Sequence, residues 1–465
     1  MNAIPHCPPR ALTRKSAALA AKRLLAGLLA LSMAVPAGFA QPAVSAVGEV
    51  EFARGVGFAQ TPGQNPRSLG KGLPVREGDR LTTAEGASAI LKLQDGTRMT
   101  VRPNSEMVIS QFKFRDNAPD NSMVLNLLRG GMRAITGAIS KNSANAARIT
   151  TPTATIGIRG TDFDARLCRS DCSAEAAKVT DQARANAVLA SAKVVQMQGD
   201  MSATDAQGTR RSLVSGGAVY PSDMLETGAG ARAVLAFRDD SKLTLGAGTR
   251  FRVDSFVFDE KNPQEGRFLV SLLRGSARAL TGLIGKSNSR NVRVSTPTAT
   301  IGIRGTGFDA DCGDNGCSFF NWLGAITLEP AAGGALLNLL PGQGFFVGPN
   351  GVRPITTSPV DGLPRPDTVP TNRQQLFDSS ALSEDTEGLY VFVRDGHIEV
   401  ATAGQILHLG RGETGFANSA GEVTRPVFTP RFLDFDKIPL PSSRNPGLVS
   451  LLQDNGVKTG GKVCR

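Results

Sequence analysis

Residues 151–165 read TPTATIGIRGTDFDA and residues 296–310 read TPTATIGIRGTGFDA, differing only at Asp162 and Gly307. In the first copy Ala154, Ile156 and Ile158 fall on one side of an extended chain, and Thr153, Thr155, Gly157 and Arg159 on the other. That is the period of a half-buried strand. Strict alternation would put Phe163 opposite the isoleucines, so a bulge or bend is expected at Gly160, and likewise at Gly305 ahead of Phe308. The motif residues Arg159, Gly160, Thr161 and Phe163, with Arg304, Gly305, Thr306 and Phe308, are read first as structural, with ligand binding as the alternative. A guanidinium with five fixed donors clamps a neighbouring strand through carbonyls or a carboxylate as readily as it holds an anion.

Outward from these strands the chain repeats as two units. RSLGKGLPVREGDRLTTAEG is answered by RSLVSGGAVYPSDMLETGAG, pairing Arg67 with Arg211, Gly72 with Gly216 and Asp79 with Asp223. ASAILKLQDGTRMTV and ARAVLAFRDDSKLTL follow, each an alternating strand with a turn at Asp95-Gly96 or Asp239-Asp240. Next come a strand pair ending in Phe112 and Phe114 or in Phe256 and Phe258, then LLRGGMRAITG and LLRGSARALTG, and a basic loop leading into the repeated strand.

Beyond that strand the units diverge. The first continues into an Ala-rich stretch near 173–190, a short helix or a loop, and the second into a Pro-rich stretch near 348–387. Residues 388–417 regain alternation, with a hairpin turn expected at Asp395-Gly396, and are assigned to the second sheet. The expected organisation is a secretory leader at 1–40, a first domain at 41–197, a second at 198–416 and a tail at 417–465. The fold class expected is all-β, two tandem β-rich domains of sandwich, roll or short solenoid type with little helix.

The leader reading rests on five basic residues within 1–23, no acidic one, and the apolar run Leu24–Val35. That run is shorter than the about 20 residues a membrane span needs, so cleavage near Ala40 and a periplasmic or secreted chain are expected. An uncleaved membrane anchor is the competing reading. Without the leader's basic residues the formal charge falls from +11 to a small excess, and aromatics are only 5% of the chain. Neither the charge nor the stacking surface points to nucleic acid. Cys168 with Cys172, and Cys312 with Cys317, follow the two repeated strands at matching places and read as local disulfides. Cys464 is left over, a free thiol or a bridge to a second chain.

The succession G-D-x-L-x-T, alternating strand with turn, L-x-G-x-x-R, and T-P-x-A-x-x-G-x-R-G-T-x-F resembles the FecR domain. Here these elements are Gly78–Thr83, Ala87–Val101, Leu127–Arg133 and Thr151–Phe163, with counterparts at Asp223–Thr227, Ala231–Leu245, Leu272–Arg278 and Thr296–Phe308. The resemblance implies an all-β module outside the cytoplasm, with no catalytic residues to carry over. The regulator that gives the family its name has a cytoplasmic segment and a membrane span ahead of this module, and that segment contacts a sigma factor. In this sequence a leader is expected there instead.

Chemistry is sparse. Past the leader the histidines are His397 and His408, read as surface or edge-strand residues in preference to a metal or acid–base pair. Asp162 and Asp164 are read as turn carboxylates in preference to a calcium site, since Gly307 replaces the first of them in the second copy. No nucleophile elbow or phosphate loop is present. The sequence therefore predicts a non-enzymatic envelope protein without cofactor or metal, whose partner is another envelope protein or a cell-wall polymer. A membrane-anchored regulator of a sigma factor is the alternative.

Overall fold

The computed structural model describes residues 45–434, apart from 143–145 and 187 and the side chains of residues 142 and 304. The leader and Cys464 lie outside the described residues. The strands that carry the architecture are β1 (Ser122–Ile135), β2 (Thr155–Cys168), β3 (Ala192–Gln198), β4 (Arg267–Leu280) and β5 (Ala299–Gly313). They are followed by β6 (Gly316–Pro330), β7 (Gly388–Ala401), β8 (Ile406–Gly410) and β9 (Thr414–Ala417).

The protein is all-β, and its described residues form two 15-stranded sheets built on one plan, with a small two-stranded sheet besides. In each, a long strand serves two sets of neighbours. The first half of β1 pairs with Glu106–Lys113 and, in parallel, with Ala147–Thr150; its second half pairs with Arg98–Val101 and with β2. Strand β4 does the same in the second sheet, reaching Val292–Ser295, Lys242–Leu245 and β5. The sheet thus rolls around its own apolar side, burying Leu91, Met99, Leu125 and Ile156 in the first core and Leu235, Leu243, Val270 and Ile301 in the second. Burial of such alternating faces is the main stabilising term.

Chain order does not follow the sheets. Strand β5 turns at once into β6 and pairs with it from Gly313 opposite Gly316 to Ala299 opposite Pro330. The equivalent partner of β2 is β7, from Cys168 opposite Gly388 to Thr155 opposite Ala401. Strands β8 and β9 then join β7, and Leu389, Val391, Ile398, Val400 and Leu409 enter the first core. The assignment of 388–417 to the second sheet is therefore corrected, and β3, placed at the end of the first domain, belongs to the second sheet. The reason lies in the edges. The far edge of β5 is filled by the residues that follow it, whereas that of β2 stays open until an alternating strand of matching length arrives, and unpaired backbone there would be costly. The second unit is thus inserted into a hairpin of the first.

Asp395-Gly396 is not a hairpin turn. Strand β7 runs through it, with Gly396 at φ +92, because it follows a bend in β2. Gly160 takes φ +54, the pairing register slips between Arg159 and Phe163, and Phe163 returns to the core fully buried. Gly305 and Phe308 repeat this at φ +59.

Both inserted stretches are ordered by the sheets they cross. Cys172–Ala176 forms a short helix, α1, in the Ala-rich stretch. The Pro-rich segment lies against the second unit, where Thr244 Oγ1 donates to the Pro364 carbonyl at 3.0 Å and Arg278 Nη1 to that of Leu363 at 2.8 Å. On the first unit the segment Arg431–Asp434 takes the comparable place. Phe432 packs with Tyr390 and Phe416, and Arg102 Nη2 donates to its carbonyl at 2.8 Å.

Candidate functional site

The motif arginines of the L-x-G-x-x-R element make the cross-strand clamp. Arg133 grips Asp162 through Nε and Nη2 at 3.1 and 2.8 Å, and Arg278 grips Asp309 at 2.8 and 3.0 Å. Such bidentate pairs fix two strands in register. Asp164 is held by Arg394 Nε at 2.7 Å. The carboxylates considered as calcium ligands are thus occupied by guanidinium groups. A second repeated pair, Arg67 on Asp79 and Arg211 on Asp223, pins the G-D-x-L element in each unit.

Arg159 makes no such clamp among the described residues. It lines a cleft of about 1400 Å³, facing Arg211, Tyr220 and Arg250 of the second unit. Its strand position explains this. Arg159 and Gly157 lie on the polar face of β2, directly opposite His397 and Glu399 of β7, and Glu399 is opposite His408 of β8. Thr161 braces the corner, donating through Oγ1 to the His397 carbonyl at 2.8 Å. The side chain of Arg304 lies outside the described residues; Thr306 N donates to Thr281 Oγ1 at 2.6 Å.

Both histidines are partly buried, and His408 lies on β8, which pairs with β7 alone. Their rings stack with centroids 5.4 Å apart, and His408 Nδ1 lies 3.3 Å from His397 Nε2. Glu399 Oε1 is 3.9 Å from His397 Nε2 and 3.7 Å from His408 Nδ1. Burial, with the like charge of neighbouring cations, keeps both rings neutral: His397 is held well below the usual imidazole value and His408 at about 4. Sequence reasoning missed this trio because Glu399 was not weighed with the histidines. The signal was present: residues two apart on a strand share a face, and hairpin register sets His408 across from Glu399.

Beside the trio lies a buried ionic cluster that joins the units. Lys193, at the start of β3, donates to Glu413 Oε2 at 3.1 Å and to the His408 carbonyl at 2.9 Å. Arg425 donates to the same carboxylate oxygen at 3.1 Å and to the same carbonyl at 2.6 Å. Burial pushes the Lys193 amine down to about 8. Burial would raise the Glu413 carboxyl, but the charges of Lys193 and Arg425 hold it below the ordinary value. The two shifts differ in sense because one carboxylate serves two cations: Glu413 gains from both, and Lys193 has only a share of it.

Both predicted disulfides are formed, Cys168 with Cys172 and Cys312 with Cys317. The second closes the turn between β5 and β6. The first ties β2 to α1, where Arg166, itself buried, holds Glu175 at 2.7 Å and Asp171 at 2.8 Å. Among the described residues no helix is long and apolar enough to cross a membrane.

Two regions of the chain, residues 79–183 and 223–326, match the family model for FecR protein. Two solved structures of a "putative anti-sigma factor" from Parabacteroides distasonis ATCC 8503 are 18% identical over 29% of this chain, with a TM-score of 0.24. The chain spans 59% of their length. No curated protein matches it. Each matched region covers the central strands of one rolled sheet and reaches through its repeated strand. This chain therefore carries two domains of the FecR family.

Proposed function

We propose that the protein is an exported, non-enzymatic component of cell-envelope signalling that works by binding another protein through its paired FecR domains. The observation that carries this reading is the occurrence of two FecR regions in one chain. Two disulfides suit an oxidising compartment. The cleft offers a partner Arg159 and Arg274, groups suited to a carboxylate-bearing protein surface.

The test joins fractionation of the native host with photo-crosslinking from Arg250 and, as a control, from exposed Val257. A processed N-terminus near Gln41, and a protein adduct from the cleft position only, are expected. Retention of residues 1–40 in the inner membrane with a co-purifying sigma factor would replace this reading with that of an anchored regulator. Absence of any protein adduct, or a turnover abolished by His397→Ala, would overturn it.

A further inference from the structure

The two units place the same backbone at two sites and fill them differently. In the second, the positions of His397, Glu399 and His408 are held by Ala325, Thr327 and Asn338, on β6 and on the short strand Leu337–Leu339. There Thr327 Oγ1 simply donates to Asn338 at 3.0 Å, and the face stays polar and quiet. The fold does not require two imidazoles and a carboxylate at this place.

Nor is the trio well satisfied by itself. With both rings neutral, only one of the two histidines donates in the 3.3 Å contact between them. His397 Nδ1 is buried without a hydrogen-bond partner, and the Glu399 carboxylate has the two rings as its neighbours at 3.7 and 3.9 Å and no hydrogen bond. The buried Nδ1 left in this state costs stability, whereas the Glu399 side chain, 32% exposed, reaches the cleft. A metal ion would take a lone pair from each ring and from the carboxylate at once, and would fix His397 as the tautomer protonated at Nδ1.

The distances fit such an ion. Two ligand atoms bound to tetrahedral zinc at about 2.0–2.1 Å lie about 3.3–3.4 Å apart. The two ring nitrogens are already 3.3 Å apart, and Glu399, with its free χ angles, needs to close by only a few tenths of an ångström. All three ligand atoms lie within 4.8 Å of one another. We propose that His397 Nε2, His408 Nδ1 and a Glu399 oxygen form a mononuclear site for a divalent transition metal of the zinc class, its fourth position open to the cleft. Two imidazoles and one carboxylate select such ions over calcium or magnesium, which take oxygen ligands.

The surrounding charges set the expected strength. The Lys193 amine and Arg425 guanidinium aim their donors at Glu413 and the His408 carbonyl, which fixes the β8 backbone beneath the site. Arg159, opposite His397, faces the site and opposes the ion, so its replacement by Gln is expected to tighten binding.

The experiment uses the exported chain, stripped with a chelator and titrated calorimetrically with zinc chloride and, in parallel, with cobalt(II) for its visible absorption. One equivalent per chain with a tetrahedral cobalt spectrum is expected. Exchanging in the second unit's residues, His397→Ala, Glu399→Thr and His408→Asn, should each weaken uptake by more than about tenfold, the least that losing even an outer partner of a metal ligand typically costs. No stoichiometric uptake, or uptake unaltered by all three exchanges, would overturn the assignment. X-ray absorption at the zinc edge of the wild-type chain decides independently of how the variants fold: fewer than two imidazole ligands would also overturn it.

Discussion

In the second unit, β5 reaches Gly313 and returns three residues later as β6; in the first, the same strand leaves at Cys168 and its partner returns at Gly388. One hairpin is closed, and its twin holds an entire domain in its turn. The difference shows how a duplicated module gains a rigid neighbour without a new interface fold. Two chain crossings tie the units together, and the ends of the opened hairpin are secured by local devices. The Cys168–Cys172 bond and the Arg166 cluster hold the exit, and the Lys193–Glu413–Arg425 cluster holds the return. The closed hairpin has Gln343 where Glu413 stands, and it needs no ion there because its own turn holds the strands.

The largest effect that would break this contrast is expected from Glu413→Gln. Removing the carboxylate leaves Lys193, fully buried, and Arg425, 2% exposed, without their counter-charge. Loss of one partner from a buried ion cluster typically costs about 3–5 kcal/mol. In denaturant titration the chain should unfold at much lower concentration, with the cleft between units opening first in hydrogen exchange. Equal stability of wild type and variant would show that the opened hairpin is held by pairing alone.

Much of this was legible in the sequence, and what was not has physical causes. The repeated strand, its bend at Gly160 and the burial of Phe163 follow from period and from the two-faced environment of a strand. The two disulfides follow from spacing and place. Partner choice does not follow, because an alternating segment such as 389–400 carries its face but not the identity of its neighbour; only the open edge of β2 decides that. The Arg133–Asp162 clamp was hidden for the same reason: its partners lie on different strands, and Arg159, nearer in sequence to the acidic residues, drew the assignment instead. The trio failed on a smaller point, that Glu399 sits on the same face as His397 and was not weighed with it.

Acid should separate the units next. In the folded protein His408 titrates at about 4, against about 6.5 in an unfolded chain, because burial opposes its charge, with Lys193 adding to that. The folded value is depressed, so between these two pH values the unfolded chain binds more protons. Stability is therefore complete above about pH 6.5 and falls as pH drops towards 4, by roughly 3 kcal/mol for this residue alone. His397 adds to the loss in the same direction. A His397→Ala, His408→Asn chain, which makes the first unit resemble the second here, should lose less stability between pH 7 and pH 4.5 than the wild type. A melting-temperature profile unchanged by the exchange would exclude the buried rings as the source of acid sensitivity.

The smallest effect is expected at Gly72, and its counterpart makes it informative. Gly72 and Gly216 occupy the same turn in the two units with φ of +83 and +80. Left-handed backbone costs an L-residue about 1–2 kcal/mol, so each substitution by alanine carries that strain. Around Gly72 a methyl group would meet nothing within 4 Å, whereas at Gly216 it would stand 2.1 Å from the His408 ring. Gly72→Ala should therefore lower stability by the backbone cost alone. Gly216→Ala should cost more, and the excess should vanish in a His408→Asn background only if the shorter side chain clears the turn. The same variant displaces His408 from His397 and Glu399, so it should weaken zinc uptake while Gly72→Ala leaves it unchanged. Equal costs at the two glycines would mean that the His408 ring is not held against the second unit in solution, and the contrast between the open and closed hairpins would lose its contact at this turn.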